Sequence, residues 1–323
     1  MTIVTTNGNG NGNGNNKKNL QAAKNGKNDR FFTQITDIEN ELHHYRKELK
    51  GKTVYVNCDG SVESNFRKHL MMAFDVYGLK RLIITTFKVD GSRASKYDIT
   101  DGLDGDYRKL IKVTKPVKLK GDGDFRSDEC IELLKQADVV IGNPPFSLFR
   151  EYVAQIIAHK KKMIIVGNVN AVGFKEIFPL IQANKLWLGP SLSGRNPEFQ
   201  VPDDYVITTK ASRVDEKGNK FVKVTGVRWF TNLTHTKRTK EKLIMYKTYS
   251  KAEYPKYDNY DAINVDKVKG IPLDYAGEMG VPVTFIDKFN PKQFEIITNV
   301  DRPFLNGKVI YKRIIIRNKN PKV

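Results

Sequence analysis

Cysteine is scarce in this chain, which has 323 residues and only two cysteines, Cys58 and Cys130. The two form no CxxC motif and do not have the spacing of a zinc site. This usage excludes a small secreted domain held together by disulfides and a structural zinc module. We therefore expect a reduced, cytoplasmic protein that needs no metal.

Long hydrophobic runs are also missing. No stretch approaches the ~18 consecutive apolar residues that span a bilayer. The first 28 residues lack the apolar segment of a secretory signal, so we expect a protein that is neither membrane-bound nor secreted. Residues 1–28 form an Asn/Gly-rich tail with several lysines and almost nothing apolar to bury. This composition predicts that the tail is disordered.

Acidic residues are outnumbered by basic ones. The chain has 36 Asp and Glu against 55 Lys and Arg, and its formal net charge is +19 at pH 7. The excess is spread along the chain instead of being gathered in one tail. Such a field favours a polyanionic partner; a general role of the lysines in solubility is the alternative. The length predicts two domains with enough apolar residues for a core.

The most informative stretch is Asn143-Pro144-Pro145-Phe146. A β-branched apolar run, residues 137–142, precedes it, and an amphipathic segment that ends near His159 follows it. This pattern predicts a strand, a rigid turn and a helix. In α/β proteins, ligands bind at the carboxyl ends of such strands.

The chemistry of this corner follows from its residue types. Neither proline has a backbone N–H, so the turn presents carbonyl acceptors at fixed φ angles, and Asn143 adds a side-chain carbonyl. Two convergent acceptors suit an exocyclic aromatic amine, because they hold both hydrogens and draw the nitrogen toward tetrahedral geometry. Phe146 supplies a stacking face for a planar base taken out of a duplex. The corner therefore predicts a site for methylation of an amino group; a plain turn with an aromatic in the core is the alternative.

The rest of the chain predicts an α/β architecture. Strands are predicted from residue 52, at 81–87, 117–119 and 162–166, and helices at 37–49, 64–74 and 127–136, with Ser127 as a cap. This alternation predicts a doubly wound, mostly parallel sheet. The polar residues 88–114 are predicted to form a solvated loop or hairpin. Beyond Asn184, short runs such as 205–209, 221–224 and 227–231 predict a smaller β-rich region.

Two polar loops follow predicted strands. Residues 57–59 have the layout of a first nucleotide-binding turn, although no GxGxxG motif is present. In residues 121–125, two glycines permit a sharp turn, Asp124 can accept from an adenine amino group, and Phe125 can cover the ring. A plain Asp-Gly turn is an equal alternative for the second loop.

Taken together, these stretches resemble the EcoRI-type adenine-specific DNA methyltransferases. The corner is similar to the (Asp/Asn/Ser)-Pro-Pro-(Tyr/Phe) motif of amino-methyltransferases that use S-adenosylmethionine. The resemblance spans nearly everything from Asp29 onward, and its segments, in order, are residues 32–42, 56–59, 121–127, 143–149, 254–265 and 280–285. It implies the methyltransferase fold, with a β-rich carboxyl-terminal region, and methyl transfer to adenine N6 within a short double-stranded DNA site.

The resemblance also implies roles for individual residues. The catalytic corner would be Asn143, Pro144, Pro145 and Phe146. The cofactor-binding residues would be Phe32, Thr33, Gln34, Asn57, Cys58, Asp59, Asp124, Phe125 and Asn143. Residues 29–184 would be the cofactor-binding and catalytic domain, and residues 185–323 the target-recognition region. The first loop lacks the usual Phe-x-Gly-x-Gly pattern, and the second strand lacks an acidic end.

Five basic or polar residues of the later region are candidate DNA contacts. Arg195 and Asn196 are predicted groove contacts, and Lys237, Arg238 and Lys240 are predicted phosphate contacts; a solvated basic surface is the alternative. We expect a monomer that needs no metal, since the sulfonium of S-adenosylmethionine activates the methyl group by itself. Two other functions stay open at this point: a catalytically silent DNA-binding protein of the same fold, such as a site-occluding or anti-restriction factor, and methylation of RNA adenine or protein glutamine.

Overall fold

The structure is a computed structural model that describes residues 32–58, 61, 64–88, 93–201, 203, 205 and 212–322. The predicted disordered tail, Asp59 and most of the predicted strand at 205–209 lie outside the described residues. Among the described residues, no helix is long and apolar enough to span a membrane.

The described strands and helices alternate along the first half of the chain. The strands are β1 (Phe32–Thr33), β2 (Thr53–Val56), β3 (Arg81–Thr85), β4 (Ser95–Ile99), β5 (Val117–Lys118), β6 (Val139–Gly142), β7 (Lys162–Asn168), β8 (Trp187–Leu188), β9 (Glu198–Val201), β10 (Ser212–Val214), β11 (Lys220–Lys223), β12 (Val227–Thr231), β13 (Ile263–Asn264), β14 (Glu278–Pro282), β15 (Phe294–Val300), β16 (Phe304–Leu305), β17 (Lys308–Val309) and β18 (Arg313–Asn318). The helices are α1 (Ile35–Leu42), α2 (Arg46–Leu49), α3 (Asn65–Met72), α4 (Phe74–Tyr77), α5 (Tyr107–Val113), α6 (Asp128–Gln136), α7 (Phe149–Ala158), α8 (Phe178–Gln182) and α9 (Thr236–Lys240).

The central sheet has eight strands in the order β5-β4-β3-β2-β6-β7-β12-β8. The four middle strands, β3, β2, β6 and β7, are mutually parallel. Because β4 and β12 are antiparallel to both of their neighbours, six of the eight strands point the same way. The predicted α/β fold with a mostly parallel sheet is confirmed.

Both faces of this sheet are buried, as expected for parallel strands made of continuous apolar runs. Alternate residues of β2 point to opposite faces: Tyr55 belongs to the core under α6 and α7, whereas Val54 and Val56 belong to the core under α1 and α3. The fit of α7 on β7 is close, because a Cβ at Gly167 would lie 2.4 Å from the ring of Phe149.

The cap of α6 was predicted correctly, and the prediction of a loop or hairpin at residues 88–114 agrees with the structure only in part. The Ser127 hydroxyl accepts from the Cys130 N–H, as expected for an N-cap. The strand β4 pairs with β3 in an antiparallel hairpin, whereas the helix α5 was not predicted. The charged strand β4 is accommodated because Asp98 accepts two hydrogen bonds of 2.6 Å from the Arg81 guanidinium on β3. The helix α5 begins where Asp106 accepts from the Lys109 N–H.

Strands from the later part of the chain pair with strands from the earlier part in the same sheets. Two strands from beyond residue 184, β12 and β8, complete the central sheet. The early strand β1 pairs with β9 in a separate sheet of order β1-β9-β11-β10, with Phe32 opposite Gln200. A third sheet, β13-β14-β18-β15, contributes Met279, Ile296 and Ile314 to the core on the α7 face.

A buried ion pair joins the central sheet to the carboxyl-terminal region. Arg228 on β12 donates through Nε and Nη2 to the two carboxylate oxygens of Asp287, over 2.7 and 2.8 Å. Both side chains are only 6% exposed. Arg228 also donates through Nη1 to the carbonyl of Arg195, over 3.3 Å, and thus holds the turn that precedes β9.

Candidate active site

The order of the central strands reverses between β2 and β6. The chain leaves β2 toward β3 on one side and leaves β6 toward β7 on the other. The loops that follow β2 and β6 therefore lie side by side at the carboxyl edge of the sheet. This topological switch point is where open α/β sheets bind their ligands.

The Asn143 corner lies at this edge, as the sequence predicts. The four residues of β6 are fully buried, and the strand ends one residue before Asn143. Pro144 is buried, whereas Asn143 and Phe146 are half-buried. The Pro145 carbonyl accepts from the Leu148 N–H over 3.0 Å, and this turn leads directly into α7. Asn143 and Phe146 thus lie on a turn at the carboxyl edge of the sheet, and Phe146 packs in part against the core on the α1 and α3 face.

Tyr152 connects the corner to the first polar loop. It lies on α7, is 1% exposed, and its hydroxyl donates to Oδ1 of the buried Asn57, which directly follows β2. Burial raises the pKa of Tyr152 well above its usual value, so the hydroxyl stays a neutral donor. The Tyr152 ring also packs edge-on against Phe125, with 5.1 Å between ring centroids. Side chains from two separate loops, Asn57 and Phe125, therefore meet at one tyrosine on the helix that follows the corner.

The β1 segment reaches the same edge. Asn65, the first residue of α3, donates through Nδ2 to the Thr33 carbonyl over 2.9 Å, which places β1 beside the helix that follows the first loop. Three side-chain atoms here, Thr33 Oγ1, Gln34 Nε2 and Ser61 Oγ, are buried and have no hydrogen-bond partner among the described residues. Buried polar atoms are rarely left unpaired in native proteins. These atoms suit a ligand with polar groups, such as the amino acid end of S-adenosylmethionine.

The Gly121 to Phe125 loop packs against the end of β3. Gly123 has φ +82°, and a Cβ there would lie 2.2 Å from the Thr86 carbonyl oxygen, so only glycine fits. Asp124 is bonded to Arg126, with Nη2 and Oδ2 2.7 Å apart, and this guanidinium lowers the pKa of the Asp124 carboxyl.

The structure differs from the predicted arrangement in this loop. The Phe125 ring is 4% exposed and faces the core because Tyr152 packs on it, while Gln155 donates to the Phe125 carbonyl over 2.8 Å. The role of Asp124 and Phe125 as adenine contacts stays a prediction. Cys58, which follows Asn57, is half-buried and packs against the core on the α7 face.

Comparison with known proteins identifies the family. A family model described as adenine-specific methyltransferase EcoRI matches residues 19–302. The chain belongs to this family. It is 45% identical over 315 residues to the Type II methyltransferase M.EcoRI of Escherichia coli, covering 94% of this chain and 97% of the relative.

Two relatives from other organisms are similar over most of their length. The Type II methyltransferase M.MgeORF184P of Mycoplasma genitalium is 40% identical over 322 residues, covering 92% of this chain and 98% of the relative. The Type II methyltransferase M.MpnI of Mycoplasma pneumoniae is 38% identical over 303 residues, covering 92% and 90%. No solved structure matches the chain significantly. The prediction of an adenine-specific DNA methyltransferase from the sequence is confirmed.

In this EcoRI-type methyltransferase, Arg195 and Asn196 are exposed on the turn before β9. Arg195 lines an open groove with Ser191 and the α1 residues Glu39 and Asn40. The groove borders the second half of α1 and the two histidines that follow it, His43 and His44. The Arg195 side chain is exposed to solvent, and its role in contacting DNA stays a prediction.

The basic run on α9 is not uniformly exposed. Lys240 is exposed, but Lys237 is half-buried and donates to the Pro190 carbonyl over 3.1 Å. Arg238 is also half-buried, because its guanidinium carbon lies 3.7 Å from the centroid of the Trp187 ring. Sequence reasoning treated the three residues as one surface run, whereas the structure separates them.

Sequence reasoning missed the residues that hold the site together. Glu41 on α1 is fully buried and accepts from the Ser191 hydroxyl over 2.5 Å, from the Ser191 N–H over 3.0 Å and from the Tyr45 hydroxyl over 2.7 Å. These bonds fix the start of the turn that carries Arg195, and burial raises the pKa of Glu41. Nothing in a single amphipathic helix marks such a carboxylate, because its partner lies 150 residues away.

Within the part of the chain that the structure describes, no group of three or more His, Cys, Asp or Glu residues is placed to hold a metal ion.

Proposed function

We propose that this protein transfers a methyl group from S-adenosylmethionine to N6 of an adenine that is turned out of a short duplex DNA site. One observation carries the proposal: the Asn143 corner lies at the switch point, beside the loop that contains Asn57. The names of the relatives, all Type II methyltransferases, support the further proposal that the protein acts in a restriction–modification system.

The corner would polarise the adenine amino group. Pro145 has its carbonyl bonded to Leu148, so the Asn143 side-chain oxygen and the Pro144 carbonyl are the acceptors proposed for the two amino hydrogens. Their bonds draw the nitrogen lone pair out of the ring and toward the methyl group. Phe146 would stack on the extruded base. S-adenosylmethionine, when bound, supplies a methyl group on a positively charged sulfur that leaves as a thioether.

The chain would align the two reactants by holding the cofactor from two sides. The Thr33 hydroxyl and the Gln34 amide nitrogen, which have no hydrogen-bond partner among the described residues, are proposed to bind its methionine end. The Asn57 amide, oriented by Tyr152, is proposed to bind it from the β2 side, with Cys58 and Asp59 in the same loop. Alignment of nitrogen, methyl and sulfur is the main contribution expected from such a site.

Double-stranded DNA is the proposed partner, and the net charge of +19 supports it. We propose that residues after Asn184 read the target sequence, with Arg195 and Asn196 in a groove and Lys237 and Lys240 near phosphates. A chimera that tests this must exchange surface turns only. Exchange of everything after Asn184 would remove β8 and β12 from the central sheet.

The test of the proposal is Asn143→Ala, measured by single-turnover transfer of labelled methyl groups to duplex DNA. Loss of one of two polarising acceptors should slow transfer by about 10²–10³, with duplex affinity and melting temperature nearly unchanged. Asn299→Ala, which changes an amide in the carboxyl-terminal sheet, is the matched control and should behave as the parent. Phe146→Ala should weaken capture of the base as well, because stacking is worth about 1–3 kcal/mol.

Three outcomes would contradict the proposal. Transfer within a few-fold of the parent would exclude Asn143 from catalysis. Label that appears in RNA or protein but never in DNA would change the substrate class. Tight DNA binding with no binding of cofactor would indicate a catalytically silent protein.

A further inference from the structure

A cavity of about 280 Å³ lies at the outer edge of the central sheet, away from the Asn143 corner. Its walls come from β8, α9, residues 241–244 and residues 286–289. The floor is apolar and includes Trp187, Leu243 and Phe289. The cavity is therefore separate from the cofactor loops at the carboxyl edge.

The charged side chains around this cavity are mostly basic. Four cations line it, namely Lys237, Arg238, Lys242 and Lys288. Of the two lining carboxylates, Asp287 is neutralised by its buried pair with Arg228, and Glu241 is exposed. The wall thus carries an excess of positive charge over an apolar floor, which is the arrangement of an anion site.

Arg238 is the residue that makes this cavity a site and not a basic surface. Its guanidinium is fixed by stacking on Trp187. Its Nε and Nη2 atoms are buried and have no hydrogen-bond partner among the described residues. A solvated arginine keeps its donors in water, and a structural one pairs them. Burial lowers the Arg238 pKa to about 10, so the group is still a cation at neutral pH.

His235 completes the wall without adding charge. Its Nε2 lies 3.0 Å from the Leu188 carbonyl on β8, and burial lowers its pKa to about 4. The neutral imidazole donates to that carbonyl and fixes the start of α9 on the sheet edge. Arg238 is therefore held from two sides, by Trp187 and by this anchor three residues earlier.

We propose that this cavity binds a phosphoryl group, with Arg238 as its main ligand and Lys237, Lys242 and Lys288 as supporting charges. A planar guanidinium with adjacent free donors matches the oxygens of a phosphate in a two-point contact. The group has two possible sources, a phosphodiester of bound DNA or a free phosphate.

The DNA source rests on the proposed function. The cavity is three strands from β6 in the sheet, which is roughly 14 Å at the usual strand spacing. A duplex whose target base enters at Asn143 would bring a backbone phosphate a few nucleotides away to this edge. The free-phosphate source does not depend on DNA at all.

The first experiment uses inorganic phosphate as the probe. The melting temperature of the full chain is measured with rising phosphate, against sodium chloride of matched ionic strength. We expect a saturable rise for the parent protein and for Lys185→Ala, which removes an exposed charge outside the cavity. Arg238→Ala should lose the rise. Should Arg238→Ala fail to fold, Arg238→Lys and Lys242→Ala should each reduce it.

The second experiment distinguishes the two sources. The affinity for a duplex without a target site is measured across salt concentrations. If DNA supplies the phosphate, Arg238→Ala should reduce the slope of log K against log salt by about 0.9, the value for one phosphate contact. If free phosphate is the ligand, this slope should equal that of the parent while the thermal effect is lost.

No phosphate effect on the parent, together with parental slopes for every variant, would overturn the proposal. Neither readout requires turnover. A failure of the proposed function would instead appear as absence of methyl label in DNA, so the two failures are distinguishable.

Discussion

The buried pair between Arg228 and Asp287 gives a sharp test of how the two halves of the molecule are joined. Asp287→Ala would remove both carboxylate oxygens, at 2.7 and 2.8 Å, from a guanidinium that is 6% exposed. Water that enters the space left by the carboxylate cannot fully hydrate the Arg228 guanidinium. Breaking such a pair by removing one partner costs about 3–5 kcal/mol, because an uncompensated buried charge remains.

This free energy is large enough to measure by thermal unfolding. At roughly 2 °C per kcal/mol for a chain of this size, the melting temperature should fall by about 6–10 °C. Asp261→Ala is the control, since its pair with Lys256 is 59% and 88% exposed and should be almost without effect on stability. The double variant Arg228→Met with Asp287→Leu should recover most of the loss, because no charge stays buried.

A fall of less than about 1 kcal/mol in the free energy of unfolding for Asp287→Ala would refute this reasoning, because that is the value typical of an exposed pair. A double variant that is as unstable as the single one would also refute it. In that case the loss would come from packing and not from the unpaired charge.

Three further predictions concern individual residues of the site and its surroundings. Gly123→Ala must place a Cβ 2.2 Å from the Thr86 oxygen, which should destabilise the loop by about 1–3 kcal/mol. Calorimetry should therefore show weaker binding of S-adenosylmethionine. An unchanged affinity would remove this loop from the cofactor site. Tyr152→Phe leaves the buried Asn57 oxygen without its donor, which should cost about 1–3 kcal/mol of free energy. The KM for S-adenosylmethionine should rise, while the rate of methyl transfer in the saturated complex should change little. An unaltered KM would show that Asn57 does not need this bond. Burial lowers the pKa of His235 to about 4, so below pH 6.5 the unfolded chain binds a proton that the folded chain does not. The free energy of unfolding should therefore fall by up to about 3 kcal/mol between pH 6.5 and 4. Urea unfolding of His235→Gln should show a shallower fall, and the same pH dependence as the parent would contradict this prediction.

Local chemistry explains what could be predicted from the sequence. The strand before Asn143 and the turn that follows are set by a β-branched run and two prolines, and Ser127 marks its helix by a short-range cap. These features depend on residues that are close in the chain, so they can be predicted from the sequence. The site could be located for the same reason, because the ends of buried strands in an α/β pattern meet at one edge.

The features that could not be predicted depend on distant partners. The strand β4 needs Arg81 to neutralise Asp98, and the pairing of β1 with β9 joins Phe32 to Gln200. The inward position of Arg238 depends on Trp187, about fifty residues earlier in the chain. A polar or basic stretch looks solvated until such a partner is known, which is why a loop or a hairpin stayed open at residues 88–114 and the α9 run was predicted to be one exposed surface.

The pairing of β1 with β9 also has a consequence for synthesis of the protein. The strand that carries Thr33 leaves the ribosome early, but its partner strand, Glu198–Val201, is made more than 160 residues later. At a translation rate of roughly 5–20 residues per second, β1 waits on the order of ten seconds or longer without a neighbour. A nascent chain that has already made the Asn143 corner therefore still lacks the β9 partner of its β1 segment, and the proposed methyl-donor site is completed only after β9 has emerged.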